Sequence, residues 1–197
     1  MVRVRVAALV LSLLLPVIVT AAPAGPRFQG DPQAIAEVQA AFQKFGAAKS
    51  WRARMSSPQG GTQTMEHVTP DRYRMVLTQG NQTTEMFIIG NEMWLRQGGT
   101  CQKMPAAVPV QNPRQYVEHE TDTTITVTKG GPETVEGTPT QTYMMTVETR
   151  GQQSRQKLFV ATGTGLPRRI EVQSQQGTTT IDYLDYDAPI TISNPPC

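Results

Sequence analysis

The stretch PDRYRMVLTQGNQTTEMFIIGNEMWLRQGGTCQKMP, residues 70–105, decides the fold. Apolar and polar residues alternate along it, and the pairs Gly80-Asn81, Gly90-Asn91 and Gly98-Gly99 interrupt the alternation. A period of two is typical of strands with one buried face, and such glycine pairs are typical of hairpin turns. The stretch therefore predicts an antiparallel meander.

The same alternation occurs on both sides of this meander. Residues 106–122 contain Pro109 and Pro113 and interrupt it, which predicts a loop with one short helix at 113–119. The last residues, 188–196, are expected to form an extended piece. Further strands are expected at 51–55, 62–68, from about 124, and at 143–147, 157–162, 168–174 and 178–186.

One helix is predicted near the amino terminus, after a loose segment at 25–30. Asp31 can cap it and Pro32 fits its first position. Its apolar residues fall at spacings of three and four, so they form one stripe over residues 32–45. The residues expected to pack this helix on the sheet as a lid are Ile35, Val38, Phe42 and Phe45.

These elements predict one domain over residues 25–197, of the α+β class and mainly β. We expect a large curved antiparallel sheet of about eight to eleven strands, since a sheet of this size must curl. The amphipathic helix and a short helical or loop segment lie on one face of this sheet. A helix of roughly 20 Å cannot cover such a sheet, so a ligand or a partner must cover the rest.

The first 24 residues have the layout of a secretory signal peptide. Arg3 and Arg5 precede an apolar run at residues 6–19, and small residues permit cleavage after Ala21 or Ala24. The run is shorter than the roughly 20 residues of a membrane span, which disfavours the alternative of an uncleaved anchor. We expect an exported, soluble protein in the periplasm or outside the cell.

Charge and cysteine usage narrow the class further. Removal of Arg3 and Arg5 from the 18 basic residues leaves 16, which equals the 16 acidic residues. A net charge near zero argues against nucleic-acid binding and against an electrostatic membrane binder. The two cysteines, Cys101 and Cys197, fit an oxidising compartment, and we predict that they form a disulfide; two free thiols are the alternative.

The sequence shows no constellation for catalysis, a cofactor or a metal. His67 stands on a predicted strand, and His119 lies in an acidic stretch that lacks the ligand spacing of a zinc site. Asp182, Asp185 and Asp187 are expected to keep a sheet edge soluble. We therefore predict a binding protein rather than an enzyme, without cofactor or metal.

The methionines indicate function more strongly than any of these polar residues. Eight methionines follow the first 24 residues, and several share a predicted strand face with leucine, isoleucine or valine. Flexible, polarisable thioethers are over-used where a surface adapts to varied apolar partners, although ordinary core packing explains any one of them. The candidates for a cavity that binds an apolar ligand are Met55, Met75, Leu77, Met86, Ile88, Met93, Leu95, Met145, Val147, Leu158, Ile170 and Val172.

The order of elements resembles the periplasmic lipoprotein-carrier superfamily of LolA-type carriers and mycobacterial lipid-binding lipoproteins. The resemblance rests on the leader, the helix, SWRARMSS as a first strand, the meander, the broken middle and the closing segments QKLFVATGTGLPRRIEVQS and TTTIDYLDYDAPITI. It implies an unclosed β half-barrel that holds acyl chains under a helical lid. It also implies a basic residue on an early strand that holds the lid shut, and Arg52 and Arg54 lie in that region, although solvent-facing charges are the commoner explanation.

Two functions follow from this resemblance. The first is an exported, monomeric carrier of lipid or of a lipidated protein. The alternative is an envelope stress sensor or regulator of the same fold, which binds an envelope protein partner through its apolar patch.

The leader gives the first testable prediction. Amino-terminal sequencing of the exported protein should begin at Ala22 or at Gly25, because small residues precede both sites. A mature protein that still begins at Met1 would contradict cleavage and favour the anchor.

Overall fold

The computed structural model describes residues 25–105 and 122–195 of the chain. The described part contains one α-helix and twelve strands. Their bounds are β1 Arg27–Gly30, α1 Pro32–Ala47, β2 Ser50–Ser56, β3 Thr62–Val68, β4 Arg72–Gln79, β5 Gln82–Ile89, β6 Glu92–Gln97, β7 Thr100–Pro105, β8 Thr123–Val135, β9 Thr138–Thr149, β10 Gln152–Ala161, β11 Pro167–Ser174 and β12 Gly177–Leu184.

All twelve strands form a single sheet in the order β1-β8-β9-β10-β11-β12-β2-β3-β4-β5-β6-β7. The sheet is not closed, so the predicted half-barrel of the mainly β, α+β class is confirmed. Two antiparallel meanders, β2 to β7 and β8 to β12, meet where β12 pairs with β2 through Ile181 opposite Met55 and Tyr183 opposite Ala53. The carboxy-terminal hairpin therefore joins the two halves.

Strand β1 corrects the expectation of a loose segment at 25–30. It pairs in parallel with β8, with Arg27 opposite Thr124 and Gly30 opposite Val127. Gly30 has φ +113°, and a Cβ on it would lie 2.1 Å from the carbonyl oxygen of Val127. Only glycine fits this close approach. The strand is too short to show an alternating pattern, and it brings the sheet to twelve strands rather than eight to eleven.

Helix α1 confirms the predicted helix and ends two residues beyond it, at Ala47. Asp31 caps it, since its carboxylate accepts hydrogen bonds from the backbone amides of Gln33 at 2.8 Å and Ala34 at 3.4 Å. The helix packs on one side of the sheet, which is called the inner face here. The opposite side is the outer face.

Charged residues of the outer face form a chain of ion pairs across the middle of the sheet. Asp182 is 5% exposed and accepts a hydrogen bond from Arg169 at 2.6 Å, with Arg54 at 3.6 Å. The expectation that Asp182 keeps a sheet edge soluble is wrong, because β12 lies between β11 and β2 in the middle of the sheet. Its carboxylate instead neutralises basic residues on neighbouring strands.

The carboxy-terminal tail covers part of the outer face without forming a strand. Ala188, Ile190 and Ile192 pack with Phe87, Trp94 and two half-buried aliphatic residues of β3 and β5. Arg72 fixes the tail by donating a hydrogen bond to the carbonyl oxygen of Ile192 at 2.8 Å. The sheet therefore has a second, smaller core outside the half-barrel.

Several predictions fall outside the described residues. They are the signal peptide at 1–24, most of the loop at 106–122 with its short helix at 113–119, the acidic stretch around His119, and Cys197. Within residues 25–105 and 122–195, no helix has the length and hydropathy needed to span a membrane.

The position of the tail bears on the predicted disulfide. Cys101 alternates in phase with Lys103 on β7, and the ammonium of Lys103 lies 5.5 Å from the ring centroid of Trp94 on the outer face. Cys101 therefore lies on the face that the tail follows towards Cys197. We predict that intact-mass analysis after alkylation finds no label without reductant and two labels with it. A labelled Cys197 in the unreduced native protein would refute the bond.

Candidate ligand-binding face

Helix α1 covers only one part of the inner face, and small side chains let it lie close there. Ala34, Val38 and Ala41 are 0–1% exposed. They pack on β8, β9 and β10, where the buried partners are Val127, Tyr143, Met145, Leu158 and Val160. This first inner cluster is formed by the protein's own side chains along the buried stripe of the helix.

The carboxy-terminal end of α1 rests on a group of aromatic rings. The ring of Phe45 lies 5.4 Å from Trp51, 4.9 Å from Tyr183 and 6.0 Å from Tyr186, with edge-on geometry to both tyrosines. Such contacts contribute about 0.5–1.5 kcal/mol each beyond the buried area. The hydroxyl of Tyr186 donates to the carbonyl oxygen of Pro167 at 2.8 Å. This second inner cluster anchors the helix at its far end.

A polar contact, which we call the clasp, ties one flank of α1 to the sheet. Glu37 accepts hydrogen bonds from Lys129 at 2.9 Å and from the hydroxyl of Tyr143 at 2.7 Å, while Lys44 donates to the carbonyl oxygen of Thr164 at 2.8 Å. The bonds from Lys129 and Tyr143 lower the pKa of Glu37 from 4.5 to about 2. Burial and the neighbouring Glu37 carboxylate raise the pKa of Tyr143. At neutral pH the carboxyl group of Glu37 is therefore ionised and the hydroxyl group of Tyr143 is neutral.

The clasp residues also line a hollow of about 350 Å³ that is open to solvent. It lies between the charged flank of α1 and the ends of β9 and β10, and Lys44, Gln141 and Thr162 contribute polar groups. Its lining mixes these polar groups with apolar residues such as Ala41 and Val160, so it differs from the uniformly apolar face that the sequence predicts.

Beyond α1, an apolar surface of the inner face extends over β2 to β6. We call it the methionine face and define it by Met55, Met65, Met75, Leu77, Met86, Met93 and Leu95, all of which retain solvent exposure. Met65 stands opposite Met75, Met75 opposite Met86, and Met86 opposite Leu95. Leu77 is 45% exposed. The face is thus a continuous row of flexible side chains across four neighbouring strands.

A small hollow of about 70 Å³ lies at the border between α1 and the methionine face. It is lined by Trp51, Ala53, Met55, Gln63, Met65, Ile181 and Tyr183. Sites for small organic ligands measure roughly 300–1,000 Å³. An acyl chain therefore does not fit inside the hollow as it stands, although it can lie along the row that begins there.

The structure divides the predicted cavity residues into two groups. Met145, Leu158 and Ile88 are 0–6% exposed and belong to the clusters that α1 covers. Met55, Met75, Leu77, Met86, Met93 and Leu95 lie on the methionine face. Val147, Ile170 and Val172 lie half-buried on the inner face of the other meander. Among the predicted lid residues, Val38 and Phe45 are buried, whereas Ile35 and Phe42 are half-buried, and Phe42 contacts both inner clusters.

Sequence reasoning missed residues that line the small hollow. Met65 belongs to the row, and the alternation in TMEHV places it beside Ala53 and Met75. Ile181 and Tyr183 were also omitted, because their proximity to β2 depends on the pairing of β12 with a strand more than a hundred residues earlier.

The idea that Arg52 or Arg54 holds the lid shut is wrong for this chain. Both lie on the outer face, where Arg52 pairs with Glu66 and Asp185, and Arg54 pairs with Glu136. Strand alternation separates them from α1, because their neighbours Trp51 and Ala53 take the inner face. The basic residue of the sheet that pairs with α1 is Lys129, while Lys44 belongs to α1 and donates to the carbonyl oxygen of Thr164.

His67 is buried beneath the end of α1, where it serves as a packed ring. It is 2% exposed, and its ring lies 5.3 Å from Trp51 and 4.5 Å from Tyr73. Neither ring nitrogen has a hydrogen-bond partner in the described part of the chain. Burial lowers the pKa of His67, which keeps the imidazole neutral. Among the described residues, no group of three His, Cys, Asp or Glu side chains is placed to hold a metal ion.

Comparison with known proteins identifies the fold. The Mycobacterium tuberculosis lipoprotein LppX is similar with a TM-score of 0.63 and 13% sequence identity, over 83% of this chain and 100% of LppX. LprF from Mycobacterium bovis is similar with a TM-score of 0.62 and 15% identity, over 87% of this chain and 99% of LprF. The fold is LolA-like. Identities this low establish a shared fold and nothing beyond it.

Other comparisons add little. The MucA/MucB complex of Pseudomonas aeruginosa has a TM-score of 0.49 and 15% identity, over 79% of this chain and 56% of that one, a likeness too distant to bear on function. No family model matches the sequence, and no curated protein matches it either.

The clasp yields a pH-dependent prediction. Because the pKa of Glu37 is lower in the folded protein, its ionised form stabilises the fold above pH 4.5, and this contribution is lost as the pH falls towards about 2. Glu37→Gln should lower the free energy of unfolding by about 1 kcal/mol at pH 7, a value that allows for the partial exposure of Glu37. Urea denaturation at several pH values measures the difference.

The exposed Glu148 offers a matched control. Glu148→Gln should change stability little at any pH, because Glu148 is exposed and has no ion pair with another described residue. A stability difference between Glu37→Gln and the unmodified protein that stays constant from pH 7 to low pH would contradict the assignment of the clasp.

Proposed function

We propose that this protein is an exported carrier that binds the acyl chains of a lipid or of a lipidated protein on its methionine face. The observation that carries the proposal is the row of exposed or half-buried apolar side chains across β2 to β6, which borders the second inner cluster and keeps solvent exposure beyond it. The LolA-like fold supports the proposal. Lipid and lipoprotein acyl chains are long and apolar, so they match an extended row better than a compact pocket.

The energetics favour a ligand of this kind. Burial of each CH₂ group contributes about 0.8 kcal/mol, so a chain lying along several strands gains several kcal/mol before the costs of association. Methionine side chains adjust their three torsions to chains of different shape. A surface of this type therefore selects for apolar character and length rather than for one head group.

We infer that a bound chain displaces α1 from the border of the methionine face. The small hollow at that border holds about 70 Å³, which is too little for an acyl chain. Phe42 contacts both inner clusters and is only half-buried. An entering acyl chain would have to push its ring aside. The clasp at Glu37 and Lys129 is partly exposed and can open at low cost.

The remaining features fit a binding protein rather than an enzyme. His67 is buried and neutral, and the ion pairs of the outer face hold the sheet together instead of meeting in a cleft. Export through the leader places the protein in the periplasm or outside the cell, where lipids in transit need shielding from water. We propose no cofactor and no nucleic-acid partner.

The test combines native mass spectrometry with a binding titration. Gently purified protein should carry co-purifying lipid, and the delipidated protein should bind a fluorescent fatty-acyl probe. Met75→Gln should weaken probe binding by about tenfold, because a bound acyl chain would displace the water that solvates the new amide. Met144→Gln is the matched control, since Met144 is 40% exposed and lies on the outer face.

Two results would overturn the carrier function. One is a protein that is free of lipid and binds no acyl probe. The other is capture of one stoichiometric envelope protein without lipid, with Met75→Gln abolishing that capture, which would identify the chain as a regulator that binds a protein partner.

A further inference from the structure

The methionine face concentrates oxidisable sulfur at one accessible place. Met65, Met75 and Met86 occupy registered positions on three adjacent strands, and Met55 and Met93 lie next to this row. All five are partly exposed. Met145, on the inner face beneath α1, is 3% exposed. Any water-soluble oxidant therefore reaches the row before it reaches the core.

Oxidation changes this surface more than any other part of the protein. A peroxide transfers one oxygen atom to a thioether sulfur, so that the peroxide O–O bond breaks, an S=O bond forms and water or an alcohol leaves. The sulfoxide is a strong hydrogen-bond acceptor. Its neighbours in the row are Ala53, Leu77 and Leu95, which offer no side-chain donor, so a buried sulfoxide there lacks a partner.

One donor does lie at the edge of the row. The side-chain amide of Gln63 is 3.7 Å from the sulfur of Met75 and points its nitrogen at it. A sulfoxide on Met75 can therefore be hydrogen-bonded while the face is open to water. Among the described residues, the sulfurs of Met65 and Met86 accept no hydrogen bond, so an oxidised row prefers water to an acyl chain.

We propose that the methionine face is a modification site, at which peroxide oxidation of Met65, Met75 and Met86 lowers affinity for the apolar ligand and so releases it. This inference rests on the proposed carrier function. Methionine sulfoxide reductases reverse the modification, so release is not permanent. Met144 shares the exposure of the row but lies on the outer face, and its oxidation leaves ligand binding unchanged.

The experiment treats delipidated full-length mature protein with hydrogen peroxide and follows two readouts. Peptide mass mapping should show sulfoxide at Met65, Met75 and Met86 well before Met145. Titration with the fluorescent fatty-acyl probe should show affinity lower by about tenfold or more after oxidation, and treatment with methionine sulfoxide reductases should restore it. Circular dichroism should show that the fold persists.

Two variants test whether the loss of affinity comes from the three methionines of the row. The triple variant Met65→Leu, Met75→Leu and Met86→Leu keeps the apolar character of the row but removes its thioethers. Whatever its affinity for the probe before treatment, that affinity should not change in peroxide. Met144→Leu should lose affinity on oxidation as the unsubstituted protein does.

The outcomes separate the two proposals. If the reduced protein binds no probe, the carrier function fails and the release mechanism fails with it. If the reduced protein binds and the oxidised protein binds equally well, only the release mechanism is overturned. Loss of affinity in the triple Leu variant on oxidation would also overturn it, because the responsible residue would then lie elsewhere.

Discussion

The structure depends on the packing of one helix against a sheet that is too wide for it. Ala34, Val38 and Ala41 bring α1 close to β8, β9 and β10, and Phe45 fixes its end on the aromatic residues of β2 and β12. The helix thereby contacts both meanders and fills the middle of the half-barrel. What it leaves uncovered is the methionine face, so the same contact that stabilises the fold also determines where a ligand can bind.

Different kinds of interaction stabilise the two faces of the sheet. The inner face relies on apolar burial and aromatic contacts, whereas the outer face relies on ion pairs such as Arg169–Asp182 and Arg74–Glu85. The tail residues Ile190 and Ile192 add an apolar core on the outer side. Function is therefore free to use the inner face, because the strands are also held from outside.

Local pattern was sufficient to predict most strands and the helix. Met75, Leu77 and Met86 alternate with polar residues, and glycine pairs mark the turns, so the strands and their inner face follow from period and turn chemistry. Pairings between distant segments could not be read this way. The neighbours Ile181 and Tyr183 of the small hollow and the parallel strand β1 depend on such pairings. The clasp residues Glu37 and Lys129 also meet only in the folded chain. The resemblance left open whether Arg52 or Arg54 contacts the lid or faces solvent, and the structure pairs both with acidic residues of the outer face.

The seam between β12 and β2 has a consequence for how the chain folds. Strand β2 is made early in synthesis, yet one of its hydrogen-bonding edges stays bare until β12, the last strand, arrives. Contacts between residues so far apart in the sequence form slowly. Until this contact forms, the unpaired edge of β2 can pair with strands of other chains.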